Sequence, residues 1–371
     1  MPRRLETDHW LFGVTLGLCF IGAVMVFSAS AVTAREQFGH ASYFIVRQLA
    51  WLVLGIAAMF WLMNTDYRKL RQPGVVFTAL SVVLLLLVGV FFLDKSHATH
   101  RWIRMGPVGI QPSELAKLAV ILYLAWFLEM RHRARAQMEF SLEDFKQTIA
   151  PAILPVLLVM CLVVLQPDLG TSLEIFLMAL AILYVAGLSW RWLAVAAATA
   201  APVLYLLIVR VPYRYERILG FLNPEADPQG RGFQLLQSLI AVGAGGFTGV
   251  GLMESKQKLF YLPEAHTDFI FAVVCEEAGF IGATLVLALF AVYGWRGLRA
   301  AVQAPDAFGR LLALGITVLV ASQALTNLGV VLGMMPTKGI PLPFVSYGGS
   351  SLLVMLLATG VLLNISQQAA D

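Results

Sequence analysis

The sequence predicts an all-α polytopic membrane protein of about ten transmembrane helices, with a large extracytoplasmic loop between helices 7 and 8. Three observations carry this. Of the 371 residues, 59% are hydrophobic and only 13% charged, against about 25% charged in a soluble domain. Ten apolar stretches approach the roughly 20 residues that a helix needs to cross a bilayer. Basic residues gather in alternate loops, as the positive-inside rule requires. The chain 1–371 therefore reads as a single integral membrane domain. Its net charge of +4 is small, and no nucleic-acid partner is expected.

The spans run roughly 10–32, 45–63, 74–93, 113–130, 149–166, 171–188, 192–210, 267–293, 310–334 and 349–366. The first follows Arg3 and Arg4 and resembles a signal peptide. Its apolar run, Trp10 to Phe27, exceeds the 7–15 residues of a usual signal core, so it reads as a retained helix. With the N-terminus inside, the cytoplasmic loops carry Arg68, Lys69 and Arg71; Arg131, Arg133, Arg135 and Lys146; Arg191; and Arg296, Arg299 and Arg310. The fifth and sixth spans join through Gln166-Pro167-Asp168-Leu169-Gly170, whose Pro and Gly favour a tight re-entry over one long helix. The outer loop, about 211–266, has a Gly-rich middle from Gly243 to Gly251 that suits short helices along the membrane. Cys19, Cys161 and Cys275 lie in apolar runs, so no disulfide framework is expected. No His and Cys spacing suits a metal, and no internal repeat supports an inverted-repeat transporter.

Asp268 stands where a charged loop, with Lys256, Lys258, Phe260, Tyr261, Pro263, Glu264 and His266, becomes an apolar run reaching about Tyr293. A helix starting near Thr267 would put Ala272, Cys275, Gly279 and Gly282 on the Asp268 side, with Glu276 and Glu277 elsewhere. Such a carboxylate is either a helix N-cap or a partly desolvated general base.

Four further groups reach the outer face. Arg101 and Trp102 lead to Gln111, Ser113, Glu114 and Lys117. Glu114 and Lys117 are i, i+3 partners, either a local ion pair or groups facing a polar cavity. Asp168 caps a turn or joins a site, with Thr171 and Glu174 close by. Arg214 and Arg217, among Tyr213 and Tyr215, suit phosphate or sugar binding as well as interfacial anchoring. The segment Pro336 to Ser351, with Lys338, Ser346 and Ser350, cannot be regular helix and suits a cavity wall. Carboxylates beside cations at one mouth fit chemistry on an anionic, lipid-linked substrate.

These residues resemble the SEDS family (shape, elongation, division and sporulation) of peptidoglycan polymerases. The matching stretches are Arg101-Trp102-Ile103, Gln111 to Lys117, Gln166 to Thr171, Gln237 to Ala241, Leu262 to Phe271 and Pro336 to Ser351. Lys256-Gln257-Lys258-Leu259 and Pro336-Thr337-Lys338-Gly339 resemble the division branch more than the elongation branch. The resemblance implies a ten-helix fold and an inverting glycosyl transfer that polymerises lipid II and releases undecaprenyl pyrophosphate. It implies Asp268 as the essential acid. Glu114, Lys117, Asp168, Arg101, Arg214, Arg217, Lys258, His266, Lys338, Ser346 and Ser350 are then the candidate substrate-binding residues. It also implies a class B penicillin-binding transpeptidase and other divisome membrane proteins as partners, at the septal inner membrane of a bacterium. No cofactor is certain; a divalent cation, Mg or Mn, is a candidate, and metal ligands stay unassigned. A lipid II flippase and a non-catalytic scaffold are the rival readings. A flippase should expose polar sites to both faces, whereas these residues cluster on one.

Overall fold

The computed structural model describes residues 7–94, 100–105, 108–135 and 144–369. Arg3, Arg4 and the middle of the predicted 131–146 loop lie outside the described residues. The helices, in order, are α1 (His9–Phe38), α2 (Tyr43–Met63), α3 (Pro73–Leu93), α4 (Pro112–Arg135), α5 (Ala150–Leu165) and α6 (Leu169–Val185). They continue with α7 (Trp190–Val209), α8 (Pro212–Leu222), α9 (Phe233–Ala244), α10 (Ile270–Gln303), α11 (Ala307–Val331) and α12 (Gly349–Gln367). A short antiparallel hairpin, β1 (Ile103–Met105) with β2 (Val108–Ile110), precedes α4 and pairs Ile103 with Ile110.

Eight of these helices are long and apolar enough to span a membrane: α1, α2, α3, α5 with its preceding π-helical turn, α7, α10, α11 and α12. The other two predicted spans are α4, which carries Glu114, Lys117 and Glu129, and the 17-residue α6. Local chemistry sets the ends. Asp8 accepts from Leu11 N and starts α1, and Gly39, at φ 78°, stops it. Proline opens α3, where its missing N–H costs nothing. Asp306 accepts from Gly309 N at 2.7 Å and caps α11.

The centre of the bundle is built by α11 and α12, whose apolar faces are mostly buried, with α4 and α6 against α11 and α2 against α12. At the end carrying the basic loops, Tyr67 donates to Asp306 (2.7 Å) and its N–H to the Asn364 side chain (2.9 Å). Arg71 pairs with Glu129 and Arg296 with Asp8. These contacts lock that end. By contrast α7 buries no residue at all.

The structure corrects the reading of α10. The helix starts at Ile270 rather than Thr267, and it breaks at Gly279, whose φ of 63° and ψ of −160° are non-helical. Only glycine visits that region readily. The break frees the carbonyls of Glu276 and Glu277 and the amides of Phe280 and Ile281. An unpaired backbone group at membrane depth is costly, and the Gly-rich stretch satisfies all four. Val250 N donates to Glu276 O (3.0 Å) and Gly251 N to Glu277 O (3.1 Å), while Phe280 N donates to Gly246 O (3.0 Å) and Ile281 N to Phe247 O (3.3 Å). A Cβ on Gly249 would sit 2.1 Å from Glu277 O, so the two backbones touch only because it is glycine. The segment 245–251 therefore pairs with α10 rather than lying free along the membrane.

Candidate active site

The elements bring five parts of the chain to one end of the bundle. Arg101 donates from Nε to Gln166 O (3.0 Å) and from Nη2 to Pro167 O, tying the strand hairpin to the turn before α6. That turn exists because Asp168 caps α6, accepting from Thr171 N (3.2 Å) and its hydroxyl (2.8 Å). Gln111 reaches it too, with Nε2 at 3.4 Å from Asp168. From α8, Tyr213 donates to Pro167 O (3.2 Å) and Arg217 to Thr337 O (3.4 Å). The 336–348 segment is knotted to the 262–269 loop: Ser346 Oγ donates to Thr267 O (2.6 Å), and Tyr347 N to His266 O (2.9 Å).

Asp268 lies in this loop at the centre of the cluster. It is not the cap of α10; that position is Phe269 and makes no side-chain bond. Among the described residues the Asp268 carboxylate has no hydrogen-bond or ion-pair partner. Burial, seconded by the Glu264 charge, raises its pKa to about 7, with Arg217 and Arg101 opposing and Asp168 adding to the rise. Its wall is Gly339: a Cβ there would stand 3.1 Å from Asp268 Oδ2. Burial lowers the pKa of Lys338, with Glu174 and Asp168 opposing. The result is a carboxylate of basic character beside Arg101 and Arg217, with Lys338 in the adjoining loop.

Behind this mouth lies a second polar cluster, buried between α4, α6 and α11. Lys117, 1% exposed, donates to Glu114 (2.8 Å), Glu174 (3.3 Å) and Gln323 (2.8 Å). Ser351 donates to the other Glu114 oxygen (3.1 Å), and Glu174 Oε1 has no partner. The Glu114–Lys117 ion pair expected from the spacing is therefore one edge of a larger network.

Several predicted binding residues are engaged by the protein's own groups. Lys258 is buried and donates to Glu277 (2.7 Å) and Ser28 (3.0 Å), because a buried ammonium needs its countercharge. Its neighbours Lys256 and Gln257 give their amides to Glu276, which Ser255 also reaches. Together these bonds strap the loop to α1 and α10. Arg214 bridges Leu207 O (3.0 Å) and Tyr213 OH (3.0 Å), acting on the Pro167 turn through that tyrosine. The His266 ring packs between Phe44 and Tyr347, and burial lowers its pKa. Ser346 is spent on backbone, also accepting from Leu342 N (2.8 Å), and Ser350 accepts from Gln111 N (3.4 Å). Sequence reasoning passed over Gln323 and Asn327. Two carboxamides one turn apart in an apolar span were the available signal.

No group of three or more His, Cys, Asp or Glu able to hold a metal ion occurs among the described residues.

The model of the "cell cycle protein" family, shared by FtsW, RodA and SpoVE, matches residues 9–371. The chain is 43% identical to stage V sporulation protein E of Bacillus subtilis over 368 residues, 98% of each chain. It is 44% identical over 365 residues to the probable peptidoglycan glycosyltransferase FtsW of Geobacter metallireducens, covering 98% of this chain and 95% of that one. Among solved structures it resembles a chain of a peptidoglycan synthase complex that coordinates polymerisation and crosslinking. That match has a TM-score of 0.78 at 32% identity, over 97% of this chain and 98% of the other. It also resembles the rod shape determining protein RodA of Thermus thermophilus, at a TM-score of 0.72 and 29% identity over the whole of both chains.

Proposed function

The chain belongs to the cell cycle protein family of FtsW, RodA and SpoVE, and from that membership we propose that Asp268 is the general base of a lipid II polymerase working in septal wall synthesis. The protein is a peptidoglycan glycosyltransferase, as relatives of this similarity are named. One observation above all supports the role of Asp268: it is half-buried with no hydrogen-bond or ion-pair partner for its carboxylate among the described residues, and desolvation raises its pKa to about 7.

The acceptor's GlcNAc 4-hydroxyl gives its proton to Asp268. The oxygen attacks the MurNAc anomeric carbon of the donor, and the bond from that carbon to the pyrophosphate oxygen breaks. Undecaprenyl pyrophosphate leaves with the electron pair, and the proton stays on Asp268 until solvent takes it. Attack opposite the leaving group turns an α-linked donor into a β-1,4 link, so one base suffices without a covalent intermediate. Arg101, Arg217 and Lys338 supply positive charge where the pyrophosphate develops its own. Glu114, Lys117 and Asp168 shape the floor behind them. A divalent cation, Mg or Mn, bound together with the substrate's pyrophosphate would further neutralise the leaving group.

The 211–266 loop and the site face outward from the bacterial inner membrane, a sidedness supported by the basic loops at the opposite end. The likeness to a chain of a peptidoglycan synthase complex supports a class B penicillin-binding transpeptidase as partner, with other divisome membrane proteins around it.

The test is purified protein in detergent, with and without that transpeptidase, given labelled lipid II. Glycan chains are expected from wild type, and a loss of about 10²–10⁴-fold from Asp268→Asn, the size of a general-base contribution. A flippase would make no product where there is no membrane to cross. Glycan synthesis by Asp268→Asn within a few fold of wild type would move the base to Asp168 or Glu114.

A further inference from the structure

The loop that carries Asp268 has no regular structure between Lys256 and Phe269, yet a base must be held still. The holding group comes from α11. Asn327, 1% exposed, lies in that helix and sends its amide nitrogen to two backbone carbonyls at once, Asp268 O at 2.7 Å and Ile340 O at 2.8 Å. Chemistry fixes which way the amide faces: turned over, its oxygen would meet two carbonyl oxygens and no donor. The two carbonyls belong to the two sides of the seat. One is the backbone of Asp268; the other follows Gly339, against which the Asp268 carboxylate lies. A single side chain therefore joins the backbone of the base directly to its wall.

A second observation points past scaffolding. The Asn327 Oδ1 is buried without a partner. A buried unpaired carbonyl costs stability, and unpaired groups of this kind in native structures call for a reason other than packing.

We propose that Asn327 is a positioning residue for glycosyl transfer, its amide clamping the Asp268 backbone to the Gly339–Ile340 wall so that the carboxylate stays in its half-buried seat against Gly339. This rests on Asp268 being the base. The groups that face Asp268 are Glu264 from its own loop, Arg217 from α8, Arg101 from the segment before β1 and Asp168 at the start of α6. Lys338 stands two residues before Ile340, His266 two before Asp268, and α11 contributes the neutral Asn327.

The sign of the effect follows from the geometry. Burial is the largest cause of the raised Asp268 pKa, so releasing the clamp lets the carboxyl reach solvent and fall towards its ordinary value. The acid limb of the pH–rate profile, expected at about 7 in wild type, should then move to lower pH even as the rate drops. The experiment is steady-state lipid II polymerisation in detergent against pH for wild type, Asn327→Leu and Asp268→Asn, with thermal melting as the check on folding. Leu keeps the branched shape at a somewhat larger volume, removes both donors and removes the unpaired oxygen. The expected result for Asn327→Leu is a kcat at least about tenfold lower, a KM within about threefold, and an acid limb lower by at least half a pH unit. An unmoved limb overturns the clamp, whatever the rate, and so does a change in KM alone. Should Asn327→Leu fail to fold, Asn327→Ser, which keeps one donor, is read by the same criteria. Activity in Asp268→Asn would remove the base reading and the clamp together. An inactive Asp268→Asn beside an Asn327→Leu of wild-type profile would remove the clamp alone.

Discussion

Lys117 spends its three protons on Glu114, Glu174 and Gln323, and this decides what its loss would do. In Lys117→Met two carboxylates are left buried with no countercharge, one already lacking a partner for Oε1. Removing one partner of a buried pair costs roughly 3–5 kcal/mol. Lys117→Met is thus expected to melt several degrees lower as well as to lose glycan synthesis. Adding Glu174→Gln should return much of the melting temperature without returning activity. A single variant that melts like wild type would mean that the network carries no charge balance. The sequence showed the Glu114–Lys117 edge, because i, i+3 spacing is visible in a helix. It could not show Glu174 or Gln323 closing on the same ammonium from 57 and 206 residues away. The same limit applies to Lys258. Its place among outer-loop cations suggested substrate binding, whereas Glu277 and Ser28 claim it through contacts no spacing encodes.

At the scale of elements, helices at the ten predicted stretches were legible, eight of them long and apolar enough to span a membrane, because apolar length is a local property, summed along the chain. The break in α10 was not, because it rests on backbone pairing with 246–251 and leaves no side-chain period. The expected face running from Asp268 through Gly279 to Gly282 is accordingly cut in two. Gly279 is the residue that permits this. In Gly279→Ala the new Cβ would stand 2.3 Å from Gly249 N and 2.7 Å from Phe247 O, at a φ that side chains avoid. The backbone strain alone is about 1–3 kcal/mol. Thermal melting should show at least that loss, with faster proteolysis in the 247–261 stretch. Gly243→Ala is the control, since nothing lies within 4 Å of its Cβ and it sits in the helical α9. It should be neutral or slightly stabilising.

The whole molecule has one end that is closed and basic and one that is open and holds the candidate site. Its orientation can be read with a single cysteine after Cys19, Cys161 and Cys275 are replaced. Tyr261→Cys, at a position 57% exposed, is expected to react with an impermeant maleimide added outside intact cells or spheroplasts. Arg310→Cys, exposed at the other end, should react only after permeabilisation. The reverse pattern would turn the site to the cytoplasm. The helices of this frame differ in how tightly they are gripped. α7 has no buried residue and packs chiefly on its chain neighbours α6 and α8, and α8 is what carries Arg217 to Asp268. In mechanical terms the bundle is a stiff chassis with one soft suspension arm. Changes in bilayer thickness or lateral pressure are expected to move that arm first. The Arg217 edge of the site therefore rides on the sprung element, while the carboxylate side is bolted down.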